Sequence, residues 1–371
     1  MKRKRRAVSA ARVDNRVLQR PRLRRRRKVV FSFIAVLLAL LVLEGASRVL
    51  VQLAPNARWE NIRTDVIALG FPALSEVFVG HPTLFWTVKP NLHNHLLSGR
   101  FANSPPIRFS VSTDSDGLRR MPAVNSVRHR ILFLGDSCTF GVGVEDHETF
   151  PALLQSGMEG VQCINAAVPG YTAYQGRVLL EQLELDAPPA VVVITFGRND
   201  DGAWDHLSDL EHAELMAAER SRLINHFRFV QLLRHILPQG NRGTSAEDRP
   251  QRLRLTDAEY IEQIRLMIRW CRDRGAEPIL LVWPEKLQMP LARVVFSKQL
   301  ALMRFARSEG VRLVNLVPVF RARGGQGLFL DVVHARPAGC ELVADTLLPV
   351  LQEVLGTSGS IPHPCGSRGG E

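Results

Sequence analysis

From Arg130 onward, short apolar segments alternate with longer amphipathic ones, and this alternation is what most limits the fold. The apolar segments are Ile131–Leu134, Gln162–Asn165, Ala190–Phe196, Pro278–Val282 and Arg312–Asn315. Each is about the length of a strand buried on both faces. Between them lie Thr149–Met158, Ala173–Leu185, Asp257–Arg274 and Ser297–Ser308, which carry helical spacing. In the third, Ile261, Ile264, Met267, Ile268 and Cys271 fall on one face, and Thr256 suits the N-cap. A last helix is predicted from Pro337, a good first-turn residue, through Leu351. Strands alternating with helices in this order predict an α/β fold with a parallel sheet and crossover helices. Folds of this kind place their sites at the carboxyl edge of the sheet.

Upstream of Arg130 the chain is different. Of the net charge of +12, residues 1–28 carry +13, from fourteen Lys/Arg and the single acid Asp14, so the remaining 343 residues sum to −1. A near-neutral body argues against a nucleic-acid partner, and the tail is expected to be a solvated basic arm. Val29 to Leu43 is almost wholly apolar. Fifteen residues fall short of the roughly 20 that span a bilayer, but Val49–Leu53 extends the run past Glu44 and Arg48. A transmembrane signal anchor over 29–53 is expected, with the arginine cluster holding the N-terminus in the cytoplasm and the body outside, in the periplasm. The rival is a signal peptide cleaved near Gly45-Ala46-Ser47. Residues 54–127, rich in proline, read as a small stem or cap that packs on the main domain, with short strands at Phe85–Val88 and Ile107–Val111. The alternating domain is expected over 128–355, and a Gly/Ser/Pro-rich tail over 356–371.

Chemistry-bearing residues collect at the ends of the predicted strands. The first strand breaks into Gly135-Asp136-Ser137, which exposes a hydroxyl at the sheet edge. A serine hydroxyl is a weak nucleophile until a base takes its proton. Among eleven histidines, only His334 combines a carboxylate three residues earlier, Asp331, with a strand-to-helix junction. An Asp-x-x-His loop lets the carboxylate reach the far imidazole nitrogen. Acyl transfer also needs N–H donors for the oxyanion. Candidates are the backbone N–H of Ser137, that of Gly170, and the side-chain amide of Asn199, at successive strand ends. Asp136 reads as a turn-stabilising carboxylate, and Cys138 as a small packed residue rather than the nucleophile. Asp331 and His334 as metal ligands is the weaker reading, because no third ligand stands nearby in sequence. Five cysteines without CxxC spacing imply neither a disulfide framework nor a zinc site. The stretch Asp201–Asn241 breaks the alternation and is either a surface helical excursion or a lid carrying Trp204 and His206.

Gly135-Asp136-Ser137-Cys-Thr139-Phe-Gly141, Gly170, Gly197-Arg-Asn199-Asp200 and Asp331-Val-Val-His334 together resemble the four sequence blocks of the SGNH/GDSL hydrolase superfamily. The resemblance covers about residues 128–353. It implies a three-layer α/β/α sandwich with a flavodoxin-like parallel sheet and a serine hydrolase of ester bonds that needs no cofactor and no metal. It also implies Ser137 as nucleophile, His334 as base and Asp331 as its orienting carboxylate. Ser137, Gly170 and Asn199 would form the oxyanion hole. The leader and stem resemble membrane-tethered bacterial members, some associated with acyl chemistry of cell-surface polysaccharide. Three functions follow as expectations. One is an extracytoplasmic esterase of short acyl groups, with an ester of carbohydrate as substrate. Another is an O-acyltransferase that passes the same acyl-enzyme to a polysaccharide. The third is a non-catalytic polysaccharide-binding module.

Overall fold

A computed structural model of the chain describes residues 25–53, 72–101, 104–203, 206–221, 251–291 and 293–357, with residues 227, 229, 230 and 233. The basic arm before Arg25, residues 54–71 of the stem, Trp204, and the tail from residue 358 lie outside the described residues.

The chain divides into two compact units. The first is described mainly through helix α1 (Arg25–Leu53). Its apolar part, Arg27–Leu50, is 24 residues long with a mean hydropathy of 2.6. At 1.5 Å per residue it is about 36 Å long, enough for a hydrocarbon core of about 30 Å. Length and composition suit a membrane span and equally a signal sequence. Glu44 and Arg48, which interrupt the apolar run, pair one helical turn apart at 2.9 Å.

The second unit, 60–222 with 239–371, contains the sheet. Its strands are β5 (His129–Gly135), β6 (Val161–Asn165), β7 (Val191–Thr195), β8 (Glu277–Val282) and β9 (Arg312–Asn315). They lie in the order β6-β5-β7-β8-β9, and every pairing is parallel. This is the flavodoxin-like order, with the reversal at β5. Right-handed crossovers that leave β5 in opposite directions put their helices on opposite faces. Accordingly, α3 (Phe150–Gly157) packs with α9 (Pro337–Leu355), while α4 (Ala173–Gln182) packs with α6 (Asp257–Asp273), and α6 with α7 (Ser297–Glu309). Covered on both faces, the central strand β7 is buried at all of Val191 to Thr195. Thr256 caps α6 through Glu259 N, as its position predicts. The amphipathic segment after Ala173 stays helical only to Gln182.

The segment before β5 holds two antiparallel hairpins: β1 (Phe78–His81) with β2 (Phe85–Val88), and β3 (His95–Gly99) with β4 (Ile107–Val111). Both contribute to the same hydrophobic core as the sheet. Arg119, whose side chain is fully buried, ties down the second hairpin. Its Nε donates to Asp146 Oδ1 at 2.6 Å, its Nη2 to the Ser110 and Val144 carbonyls at 3.0 Å, and its Nη1 to those of Phe140 and Gly141 at 3.3 Å. Burial pushes the guanidinium pKa down, and the Asp146 carboxylate opposes that shift. One side chain thus joins β4 to the turn that follows the Ser137 helix. Removing one partner of a buried charge pair typically costs roughly 3–5 kcal/mol, because the rest is left unsatisfied. Arg119→Ala should therefore lower stability by about 3 kcal/mol or more in urea titrations, whereas Arg128→Ala, at an exposed pair, should change it by less than about 0.5 kcal/mol.

Candidate active site

Ser137 opens a short helix, α2 (Ser137–Phe140), directly after β5. The turn needs Gly135: a Cβ there would stand 2.3 Å from Thr139 Oγ1 and 3.0 Å from the Thr195 carbonyl. Asp136 caps the helix, accepting from Cys138 N at 2.9 Å. Ser137 N–H therefore heads the helix and donates to no group among the described residues.

His334 comes from the loop before α9 and meets the serine across the sheet edge. Its Nε2 lies 2.8 Å from Ser137 Oγ, and its Nδ1 lies 2.8 Å from Asp331 Oδ2. The other Asp331 oxygen accepts from Val333 N at 2.9 Å and His334 N at 2.7 Å. Burial alone would raise the Asp331 carboxyl, but the hydrogen bond and charge of His334 and these two N–H groups hold it below its usual range. An ionised carboxylate only accepts, so Nδ1 carries the proton and Nε2 presents a lone pair to the serine hydroxyl. The ring face is covered as well: Phe101 stacks on the imidazole at 4.8 Å between centroids, with 21° between planes.

The other named residues converge from β6 and β7. Asn199 Nδ2 lies 3.1 Å from Asp136 Oδ2 and 3.1 Å from the Tyr171 carbonyl. The amide thus sits between the residue before Ser137 and the residue after Gly170. Gly170 has φ +83, a left-handed conformation that favours glycine, and its carbonyl accepts from Arg254 Nη1 at 2.6 Å. Its N–H donates to no group among the described residues. Asp200 is fully buried and accepts from Ala173 N at 2.9 Å, at the start of α4. Burial raises its carboxyl to about 7, against that hydrogen bond and the charge of Arg254.

Cys138 is buried, and burial, with Asp136, Asp331 and Glu285 nearby, pushes its thiol well up. A neutral buried thiol is inert as a nucleophile. Beside Cys138 lies a cavity of about 30 Å³, lined among others by Asp136, Thr195, Arg198, Glu285 and Val333. Its lining includes neighbours in sequence of Ser137 and His334 rather than those residues themselves. Thr195 Oγ1 is buried there without a partner among the described residues. Burial raises the Glu285 carboxyl, and Arg198 at 3.5 Å opposes the shift. No group of three His, Cys, Asp or Glu side chains able to hold a metal occurs among the described residues.

The excursion after Asp200 is described at its root. His206 is half-buried, and Ser208 and Asp209 are buried at the start of α5 (Asp209–Ser221). Asp209 pairs with buried Arg254 and accepts from Thr172 Oγ1 at 2.6 Å. Arg254 and Phe101 were not singled out in the sequence. An arginine ahead of a helix cap and a phenylalanine after a strand carry no local mark of a role more than 80 residues away.

The family described as GDSL-like lipase/acylhydrolase matches residues 133–342. Among solved structures, TesA is 21% identical, with 61% of this chain and 99% of that one covered and a TM-score of 0.39. A member of the lipolytic G-D-S-L family from Veillonella parvula is 16% identical over 60% and 98% of the two chains, with a TM-score of 0.41. Axe2, an acetylxylan esterase from Geobacillus stearothermophilus, is 17% identical over 63% and 96%, with a TM-score of 0.39. No curated protein matches the chain.

Asp200 yields a pH prediction. Its folded value of about 7 lies above the unfolded 3.8. The stabilisation from the bound proton is complete below about pH 4 and is lost as pH rises to about 7. Asp200→Asn should flatten that part of the stability-against-pH curve in thermal melts between pH 4 and 8. An unchanged slope would mean that Asp200 titrates normally.

Proposed function

The chain belongs to the GDSL-like lipase/acylhydrolase family and is a serine hydrolase acting on ester bonds, and from that premise we propose that it removes short acyl groups through an acyl-enzyme, outside the cytoplasm. The observation that carries the site assignment is the unbroken line Asp331–His334–Ser137, with both contacts at 2.8 Å.

In the proposed mechanism Ser137 is the nucleophile. His334 Nε2 takes the hydroxyl proton as Ser137 Oγ forms its bond to the ester carbonyl carbon. Asp331 keeps the imidazole in the required tautomer and stabilises the imidazolium. The carbonyl oxygen gains the negative charge and meets the N–H groups of Ser137, Gly170 and Asn199. Asn199 rests on the Asp136 carboxylate and the neutral Tyr171 carbonyl. An oxyanion is the stronger acceptor and would draw one amide N–H from Tyr171. His334 then gives its proton to the departing alkoxide, leaving acyl-Ser137. Water, deprotonated by His334, repeats the sequence and releases the acid.

The charged Arg198–Glu285 pair, beside Asn199 and close to Asp136, supports a short acyl group over a long alkyl chain, which would desolvate those charges without pairing them. The apolar part of α1 supports a tether, with the basic arm cytoplasmic and the esterase periplasmic. We extend the reading to five segments: basic tail 1–28, anchor 29–53, stem 54–127, hydrolase domain 128–355 and tail 356–371. A body held at a cell surface meets acylated surface carbohydrate, which we take as the alcohol side of the ester.

Ser137→Ala and His334→Ala should each lower kcat for nitrophenyl acetate by about 10³ or more, with the melting temperature kept. Asn199→Ala should lower kcat by about 10²–10³ with little change in KM. Activity should fall from acetate to octanoate esters, and adding acylatable polysaccharide should leave acid release unchanged. Acyl transfer to the polysaccharide would make the chain a transferase. Near-normal turnover in Ser137→Ala would remove the assignment.

Alkaline phosphatase, which matures only outside the cytoplasm, should be active when fused after residue 125. An inactive fusion would reverse the orientation, and a mature N-terminus near Arg48 would make the segment a cleaved signal peptide.

A further inference from the structure

The family match begins at residue 133, yet the ring that covers His334 comes from residue 101. Phe101 follows β3 and is 2% exposed. Its placement is held from several sides. Its carbonyl accepts from both the N–H and the Oγ of Ser104, at 3.0 and 3.1 Å. Its ring edge lies over Gly143, where an added Cβ would stand 3.7 Å from Phe101 Cε2 and 2.3 Å from Leu330 Cδ1. Leu330 belongs to the same loop as His334 and donates to the His334 carbonyl at 2.8 Å. The hairpin that carries Phe101 is fixed in turn through Ser110 N to Glu145, Ser112 N to Asp146, and Arg119.

Two hydrogen bonds, at Nδ1 and Nε2, restrain the imidazole within its own plane. They do little against rotation about the line joining those two nitrogens. A flat ring stacked at 21° blocks that rotation on one side and keeps water off that face. We propose that Phe101 is a positioning residue for His334: its ring holds the imidazole plane so that Nε2 stays aimed at Ser137 Oγ while the proton moves to and from it. The proposal rests on the esterase reading, in which His334 is the base.

The test uses the full chain with Phe101→Leu and Phe101→Met, which keep an apolar side chain of similar bulk but remove the flat face. Two shapes guard against one failing to pack, and thermal melts check the fold of each. Because small losses of alignment are costly in rate, kcat for nitrophenyl acetate should fall about tenfold or more, with KM changed less than about twofold. A second readout does not depend on turnover. In the wild type, the His334 ring C–H signals, assigned by their loss in His334→Ala, should lie upfield under the ring current of Phe101. They should move downfield in Phe101→Leu. Folded variants with kcat within twofold of wild type, or a loss confined to KM, would overturn the proposal. So would ring signals that do not move. A wild-type chain inert toward every ester, with the ring signals shifted as expected, would instead overturn the esterase reading and leave the stacking established.

Discussion

The reversal of strand order at β5 is the constraint on which the rest depends. From β5 the chain steps outward to β6, then returns past its start to β7, β8 and β9. Right-handed crossovers then leave on opposite faces, and the connections that follow β5 and β7 diverge from each other at the carboxyl ends of those strands. The pairing of Gly135 with Thr195 sets the register there. It brings Asp136 close enough to Asn199 for a hydrogen bond at 3.1 Å, although 63 residues separate them in sequence. The crevice is therefore a product of topology, which delivers the Ser137, Gly170 and Asn199 turns to the ends of β5, β6 and β7, while Asp331 and His334 come from the loop before the last helix.

Charges buried around this crevice do not earn their place by stability. Asp136 and Asp200 both titrate upward because burial disfavours their charged forms. The Asp209–Arg254 pair is nearly inaccessible, and desolvation offsets much of the attraction in such a pair. What these groups do is fix geometry. Arg254 donates to Asp209, to Gln175 and to the Gly170 carbonyl. It thereby ties the root of the excursion, the start of α4 and the Gly170 turn into one assembly. Asp136 joins the serine turn to Asn199, and Asp200 joins the Asn199 turn to α4.

The legible part of the sequence was the part whose signals are local. All five sheet strands appear within a residue or two of their apolar segments; β5, β7 and β8 are largely buried and leave continuous apolar runs, whereas the edge strands β6 and β9 are partly exposed. Gly135, Ser137, Gly170 and Asn199 stand at or just beyond the ends of β5, β6 and β7, where a short motif and a neighbouring strand coincide; Asp331 and His334 instead follow a helical turn (Gly325–Leu328), not the strand that the sequence suggested before them. Helix α8 (Leu316–Arg323) was not foreseen: it is short, contains Pro318, and starts immediately at the end of β9. Strands β1 and β3 were missed too, since Phe-Val-Gly-His and His-Leu-Leu-Ser-Gly alternate poorly. The stem or cap was expected to pack on the main domain, and it shares the core of the sheet; what the sequence did not show is the individual contacts that hold it, such as Arg119 to Asp146, which no local pattern announces.

The upstream hairpins also bear on the Gly170 N–H, through a peptide plane. Trp86 in β2 donates its indole N–H to the Pro169 carbonyl at 3.1 Å. A trans peptide is planar, so fixing that carbonyl fixes the N–H of Gly170 on the opposite side of the same bond. Trp86 is itself held: Tyr171 Oη donates to its carbonyl at 2.7 Å, and Arg254 lies over its ring at 5.6 Å. Its neighbour Phe85, the first residue of β2, adopts φ +68, an uncommon conformation for a bulky residue. Phe101 meets the imidazole and Trp86 meets the Gly170 peptide, so both halves of the crevice lean on residues that precede the region matching the family. The residues that touch the crevice therefore include some upstream of the region that matches the family, as far back as the first hairpin.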